Sequence, residues 1–180
     1  MSKPLIILIG TSGSGKSTIA NKLERKYGYI SLKSYTTRAM RNDPNDALTH
    51  TFISPDRVSE FKNDIIVDTT FNGAYYFTTQ KQLDTSDTYI VDKKGLIELK
   101  RKYHNREVIS IYLDASPEIV AKRMEQRGDS NEVIMKRLQH DAEAFEGAKE
   151  LCDFICPNNN QDQQYDIVEF IHKLIEYKAV

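Results

Sequence analysis

The apolar run Leu5-Ile6-Ile7-Leu8-Ile9 breaks directly into Gly10-Thr-Ser-Gly-Ser-Gly15-Lys16-Ser17-Thr18, and no other stretch restricts the fold as tightly. A branched apolar run without polar alternation suits a central strand of a parallel sheet, covered on both faces. The segment after it fits G-x-x-x-x-G-K-[ST]. Its glycines let the backbone take φ > 0 and turn N–H groups inward as an anion nest. The helix predicted from Lys16 adds unpaired N–H groups and a positive dipole end. In such a loop Ser12, Gly13, Ser14, Gly15, Lys16, Ser17 and Thr18 wrap a nucleotide triphosphate. Lys16 reaches the β- and γ-phosphates, and the Ser17 hydroxyl ligates Mg²⁺. The letters alone also arise in ordinary Gly/Ser-rich turns. The buried-type strand before and the amphipathic helix after (Ile19, Ala20, Leu23) supply the context such a turn lacks.

At 180 residues the chain can bury one substantial core with a small inserted subdomain. A formal net charge of −1 gives no bulk electrostatic case for nucleic acid or membrane as partner. The N-terminal apolar run is too short for a signal peptide or a span, so a cytoplasmic protein is expected. Cys152 and Cys156 lack a surrounding His/Cys cluster and read as free thiols rather than zinc ligands.

Taken in order, the pattern predicts a helix from Lys16 to about Lys26, closed by Gly28, and a short strand at Tyr29–Leu32. Between 34 and about 86 the chain changes character, with short β-prone pieces at Thr51–Ile53, Ile65–Val67 and Tyr75–Phe77. Ser54-Pro55 opens a short helix to about Lys62, and Gly73 sits in a turn. Beyond this insert the pattern predicts strands at Thr88–Asp92, Val108–Leu113 and Asp153–Cys156. Helices are expected over Lys93–Tyr103, from Ser116-Pro117 to about Gln126, onward to about Lys149, and over Gln163–Tyr177. The apolar stripe of the helix that runs to Lys149 is read at Val133, Met135 or Arg137, Leu138 and Phe145. Alternating strands and helices predict an α/β fold, a parallel sheet flanked by helices with its ligand at the carboxyl ends of the strands. Gly10–Ser17 and Asp92 both fall at such ends.

The second informative stretch is Ser34-Tyr-Thr-Thr-Arg38-Ala-Met-Arg41. Two arginines beside several hydroxyls can hold a phosphate dianion by forked, charge-assisted hydrogen bonds. Alone, they would read as solvated surface; after a nucleotide loop they read as a second phosphate site. With these residues in hand, the chain resembles the guanylate kinase family as a divergent member. The resemblance extends through Phe52-Ile-Ser, Phe71-x-Gly73-x-Tyr75-Tyr76, Lys122-Arg123-Met-Glu-Gln-Arg127-Gly128, Lys136-Arg137-Leu138 and Asn158, covering about residues 4 to 176.

The resemblance implies a single nucleoside monophosphate kinase domain. Its core would be 1–33 and 87–180, its acceptor-binding insert about 34–86 and its lid about 123–148. The substrates would be ATP, as Mg²⁺ complex, and a nucleoside monophosphate, most simply GMP or dGMP; the assembly would be a monomer or homodimer. Ser34, Arg38 and Arg41 would hold the acceptor phosphate, Tyr76 would add a phenol hydroxyl, and Thr78 would touch the base. Asp92 would stand near Mg²⁺ and bind the acceptor, Asn158 would lie beside the ATP, and Arg123, Arg127 and Arg137 would close over the transferring group. Gly73 and Gly128 are the expected flexible points of that closure.

The departures fall in the acceptor half. His50 stands where the family has a phosphate-binding tyrosine, and an imidazole can still donate there. Val67 takes the register of the glutamate that reads guanine, with Asp68 one residue on. Ile90 replaces the first of two aspartates, Phe77 a glycine, and Asp43-Pro44 a glycine-glutamate pair. Two alternatives stay open: a kinase for another deoxynucleotide, base or phosphorylated ribose, and a non-catalytic binding module of the same fold.

Overall fold

The computed structural model describes residues 3–40 and 50–179. Strand β1 (Leu5–Ile9) pairs in parallel with β6 (Thr88–Ile90) on one side and β7 (Val108–Asp114) on the other. Strand β8 (Phe154–Pro157) joins β7 in parallel, giving the order β6-β1-β7-β8. All five residues of β1 are fully buried. Because side chains alternate along a strand, Leu5, Ile7 and Ile9 meet Leu96 and Leu99 of helix α3 (Lys93–Lys102). Ile6 and Leu8 meet the opposite layer, α1 (Lys16–Tyr27) and α6 (Gln161–Ala179), through Ile19, Leu23, Ile167 and Ile171. This two-faced burial is why the run carries no polar residue.

A second sheet is built within the insert, in the order β3-β2-β5-β4. Its strands are β2 (Tyr35–Thr36), β3 (Thr51–Phe52), β4 (Ile65–Phe71) and β5 (Ala74–Thr79). A 3₁₀ helix over Pro55–Phe61 lies between β3 and β4. Helix α2 (Gln80–Thr85), missing from the sequence expectations, leads back to the main sheet behind a capping box of Thr79 and Gln82. Helices α4 (Pro117–Gln126) and α5 (Asn131–Ala144) pack on each other through Val120, Met124 and Ile134.

Several expectations are corrected. Tyr29–Leu32 forms no strand: it makes a single bridge, Ser31 to Thr88, while Ile30 points outward at 57% exposure. The short helix after Ser54 forms, with 3₁₀ geometry and Pro55 at its start, but among the described residues the Ser54 side chain makes no cap bond. Helix α5 stops at Ala144, ahead of a turn that passes through Gly147 at φ 67°, instead of running to Lys149. Its buried side chains are Ile134 and Asp141, with Leu138 half-buried, whereas Val133 and Met135 are exposed. Gly73 falls in a turn as expected: Asn72 at φ 49° and Gly73 at φ 75° form the tight turn of the β4–β5 hairpin.

Candidate active site

The carboxyl ends of β1, β6, β7 and β8 deliver Gly10, Asp92, Ser116 and Asn158 to one edge of the main sheet. Gly10 follows β1 at φ 149°, and a Cβ there would lie 2.7 Å from the Leu113 carbonyl and 2.8 Å from Ser14 Oγ. Gly13 (φ 75°) and Gly15 (φ 98°) also hold the left-handed backbone that lets consecutive N–H groups converge. The first i→i−4 bond of α1 runs from Ile19 N–H to the Gly15 carbonyl, which leaves the Lys16, Ser17 and Thr18 N–H groups ahead of the helical ladder.

Lys16 is folded onto the loop. Its ammonium donates to the carbonyls of Gly10 (2.7 Å) and Thr11 (2.8 Å). Burial pulls its pKa down to about 8, against the opposing pull of the Asp141 carboxylate, with the Arg127 charge lowering it further. Ser17 and Thr18 are exposed at the mouth, while Ser14 is buried beneath the loop. Asn158, fully buried, props the loop from below: its Nδ2 donates to the Ser14 carbonyl at 2.6 Å. Its Oδ1 is buried without a hydrogen-bond partner among the described residues.

A cavity of about 580 Å³ opens over Gly13–Thr18 and is lined across the gap by Lys122, Arg123 and Arg127 from α4 and its C-terminus. Arg123 donates to the Gly13 carbonyl at 3.2 Å, and burial lowers its pKa. Arg127 lies 3.9 Å from Asp129. Arg137, on α5, is exposed and makes no hydrogen bond or ion pair among the described residues, so two of the three expected arginines already face the loop. The unexpected member of this group is Asp141. This α5 residue is 6% exposed, and its Oδ2 accepts from Ser12 N–H at 2.5 Å. Its signal in the sequence was an acid on the same helical stripe as Ile134 and Leu138.

On the insert, Ser34, His50 and Tyr76 gather. Ser34 Oγ lies 3.0 Å from His50 Nδ1, and the His50 and Tyr76 rings meet edge-on at 5.4 Å. Arg38 is half-buried over the Phe52 ring at 5.1 Å, with its backbone N–H on Thr36 Oγ1. Arg41 lies outside the described residues, as does the Asp43-Pro44 pair. Cross-strand partners share a face of the sheet. The pairs Thr69–Tyr76 and Val67–Thr78 therefore put Tyr76, Thr78 and Val67 on one face. Asp68 pairs with Phe77 on the other, beside Tyr75 and an aromatic group with Tyr35 and Phe61. Asp68, one position beyond the register of the base-reading acid, therefore lies on the opposite face from Tyr76 and Thr78. The Tyr75 phenol is pushed up to about 12 by burial, with the neighbouring Asp68 carboxylate raising it further. Thr78 is fully buried and donates to the Tyr89 hydroxyl at 2.7 Å, a bond that ties the insert to β6.

Asp92 caps α3, its Oδ1 accepting from Gly95 N–H at 2.7 Å; its other carboxylate oxygen makes no hydrogen bond among the described residues. Among those residues no group of three or more His, Cys, Asp or Glu could hold a metal ion. Hard oxygen donors at this edge include the exposed Ser17 hydroxyl and the Asp92 carboxylate, a sparse set even with Asp141, which is engaged on Ser12 N–H. That set suits a hard divalent cation carried in on phosphate oxygens and fits no all-protein cage. Also among the described residues, no helix is long and apolar enough to cross a membrane.

Comparison with known proteins agrees with this geometry. A family profile described as an AAA domain matches residues 6–166. A guanylate kinase of Helicobacter pylori is 31% identical, over 97% of this chain and 88% of the relative. One from Chlorobaculum tepidum is 28% identical, over 91% and 89%. Among solved structures, a guanylate kinase from Anaplasma phagocytophilum superposes with a TM-score of 0.68 at 22% identity, covering 97% of this chain and 87% of that one. A shikimate kinase from Bacteroides thetaiotaomicron shares the fold at a TM-score of 0.52 and 13% identity, covering 97% and 99%. At 31% identity over nearly the whole of both chains, and with the phosphate loop at the head of the same fold, the chain is a member of the guanylate kinase family.

Proposed function

We propose that the chain transfers the γ-phosphoryl group of ATP, bound as its Mg²⁺ complex, to a nucleoside monophosphate, GMP or dGMP foremost, in the cytoplasm. The observation that carries this reading is the loop itself: left-handed glycines converge N–H groups on a site where Lys16 is already hooked and Arg123 already leans. An acceptor phosphate is ionised at neutral pH, so the reaction needs no general base, only positioning and charge neutralisation. In this reading Lys16 and the loop hold the donor, with Asn158 keeping the loop in shape. Ser34, Arg38, Arg41, His50 and Tyr76 take the acceptor phosphate. Arg123, Arg127 and, after lid movement, Arg137 offset the charge of the transferring group. When bound through Ser17 and the phosphates, with Asp92 nearby, Mg²⁺ would supply further neutralisation there.

A second reading changes the acceptor's base. Val67, on the face it shares with Tyr76 and Thr78, is apolar and only 6% exposed, Asp68 is on the other face, and the Thr78 hydroxyl is engaged with Tyr89. None of these presents a carboxylate to the N1–H and N2–H₂ edge of guanine. Steady-state turnover with ATP and a panel of GMP, dGMP, AMP, other deoxynucleotides and a ribose bisphosphate separates the two. Activity confined to GMP and dGMP supports the first reading, and faster turnover of another acceptor supports the second. No transfer to any member of the panel overturns both.

A further inference from the structure

Ser12 N–H belongs to the anion nest, yet its partner is a protein carboxylate: Asp141 Oδ2 sits 2.5 Å away, delivered from a helix 129 residues further along the chain. Asp141 is 6% exposed and lies close enough to Lys16 for its charge to act on that ammonium. Its second oxygen is 3.2 Å from His140 Nδ1 on the solvent side. A carboxylate so placed is a single-charged stand-in for a phosphate oxygen, because both are anionic acceptors of the same backbone donor. Lys16, meanwhile, spends its ammonium on the Gly10 and Thr11 carbonyls.

We infer that Asp141 is a built-in occupant of the phosphate loop: it holds the nest in the nucleotide-free protein and is displaced by the incoming phosphate chain of a nucleotide. The inference rests on the reading of the loop as the nucleotide site. Two anions cannot share the Ser12 N–H and the Lys16 field, so filling the loop moves the Asp141 side chain out. Because that side chain is part of α5, phosphate arrival is thereby coupled to the helix that also carries Arg137. The nucleotide is bound through the fraction of molecules whose nest is open, and apparent affinity is reduced by that fraction.

The test is titration calorimetry of the whole chain with ADP, inorganic pyrophosphate and adenosine, comparing the parent with Asp141→Asn and Asp141→Ser. Removing the competing charge is expected to lower the dissociation constants of ADP and pyrophosphate by about fivefold or more, through a larger open fraction. Adenosine, which brings no phosphate, is expected to bind as before. Unchanged or weaker ADP binding by both variants overturns the inference and makes Asp141 a support of the loop. Equal tightening of adenosine also overturns it, since the gain would not then concern phosphate. Both variants failing to melt cooperatively would assign Asp141 to the fold and overturn it too. Absence of ADP and pyrophosphate binding by the parent would instead remove the nucleotide reading of the loop, and the inference with it.

Discussion

Lys16 shows how one side chain ties the loop's stability to its chemistry. Burial holds its pKa near 8, below the usual 10.5, so between those values the folded chain binds fewer protons than the unfolded one. The Lys16 contribution to stability therefore rises with pH through that window, since the charged ammonium is what burial disfavours. Nucleotide binding carries the opposite sign, because phosphate needs the charge. ADP affinity measured by calorimetry is expected to be flat below neutral pH and to weaken as pH climbs past about 8, where Lys16 deprotonates. Lys16→Ala is expected to melt cooperatively, to lose turnover by about a thousandfold and to lose this pH dependence. A K16A protein that keeps the alkaline weakening would assign it to another group.

Helix α3 offers the clearest separation of structural from chemical roles. Asp92 is its N-cap, and asparagine caps about as well as aspartate. Asp92→Asn is expected to stay within about 0.5 kcal/mol of the parent in chemical denaturation, whereas Asp92→Ala loses about 1 kcal/mol. If the carboxylate also serves Mg²⁺, Asp92→Asn loses turnover about tenfold and shifts its Mg²⁺ dependence upward. An Asp92→Asn enzyme with parental kinetics would leave the cap as its sole role. Elements with strong local signals matched their expectations: β1 by its unbroken apolar run, α4 by its Ser116-Pro117 start, and α1 by Gly28 at φ 72°. Helix α5 did not, because its short buried stripe ends in an acid. An apolar-only search slides to Val133 and Met135, which the structure leaves in solvent.

On the scale of the molecule, we propose that two anionic substrates meet between cationic surfaces that close together only on binding. Arg137 stands exposed on α5, and Gly128, at φ 88° with open space around its α-carbon, lies between α4 and α5. Small-angle scattering is expected to give a smaller radius of gyration with ADP and nucleoside monophosphate together than without ligand, as lid and insert close and expel water. Superimposable profiles would mean that the described arrangement is already the working one and that Arg137 has no part in transfer.

The sequence by itself determined the α/β class, the main-sheet strands and the phosphate loop, since each rests on contacts or dihedral demands local to a few residues. Glycines at φ > 0, a lysine next to a helix start and an unalternating apolar run have few other uses. Tertiary structure alone decided what depends on which face a residue turns and what lies across from it. The pleat of β4 sends Asp68 to the aromatic face and Val67 to the face it shares with Tyr76 and Thr78, a difference of one position that no motif register resolves. The partner of Ser12 N–H comes from a helix far along the chain, so the carboxylate that fills the nest was invisible until α5 folded over the loop.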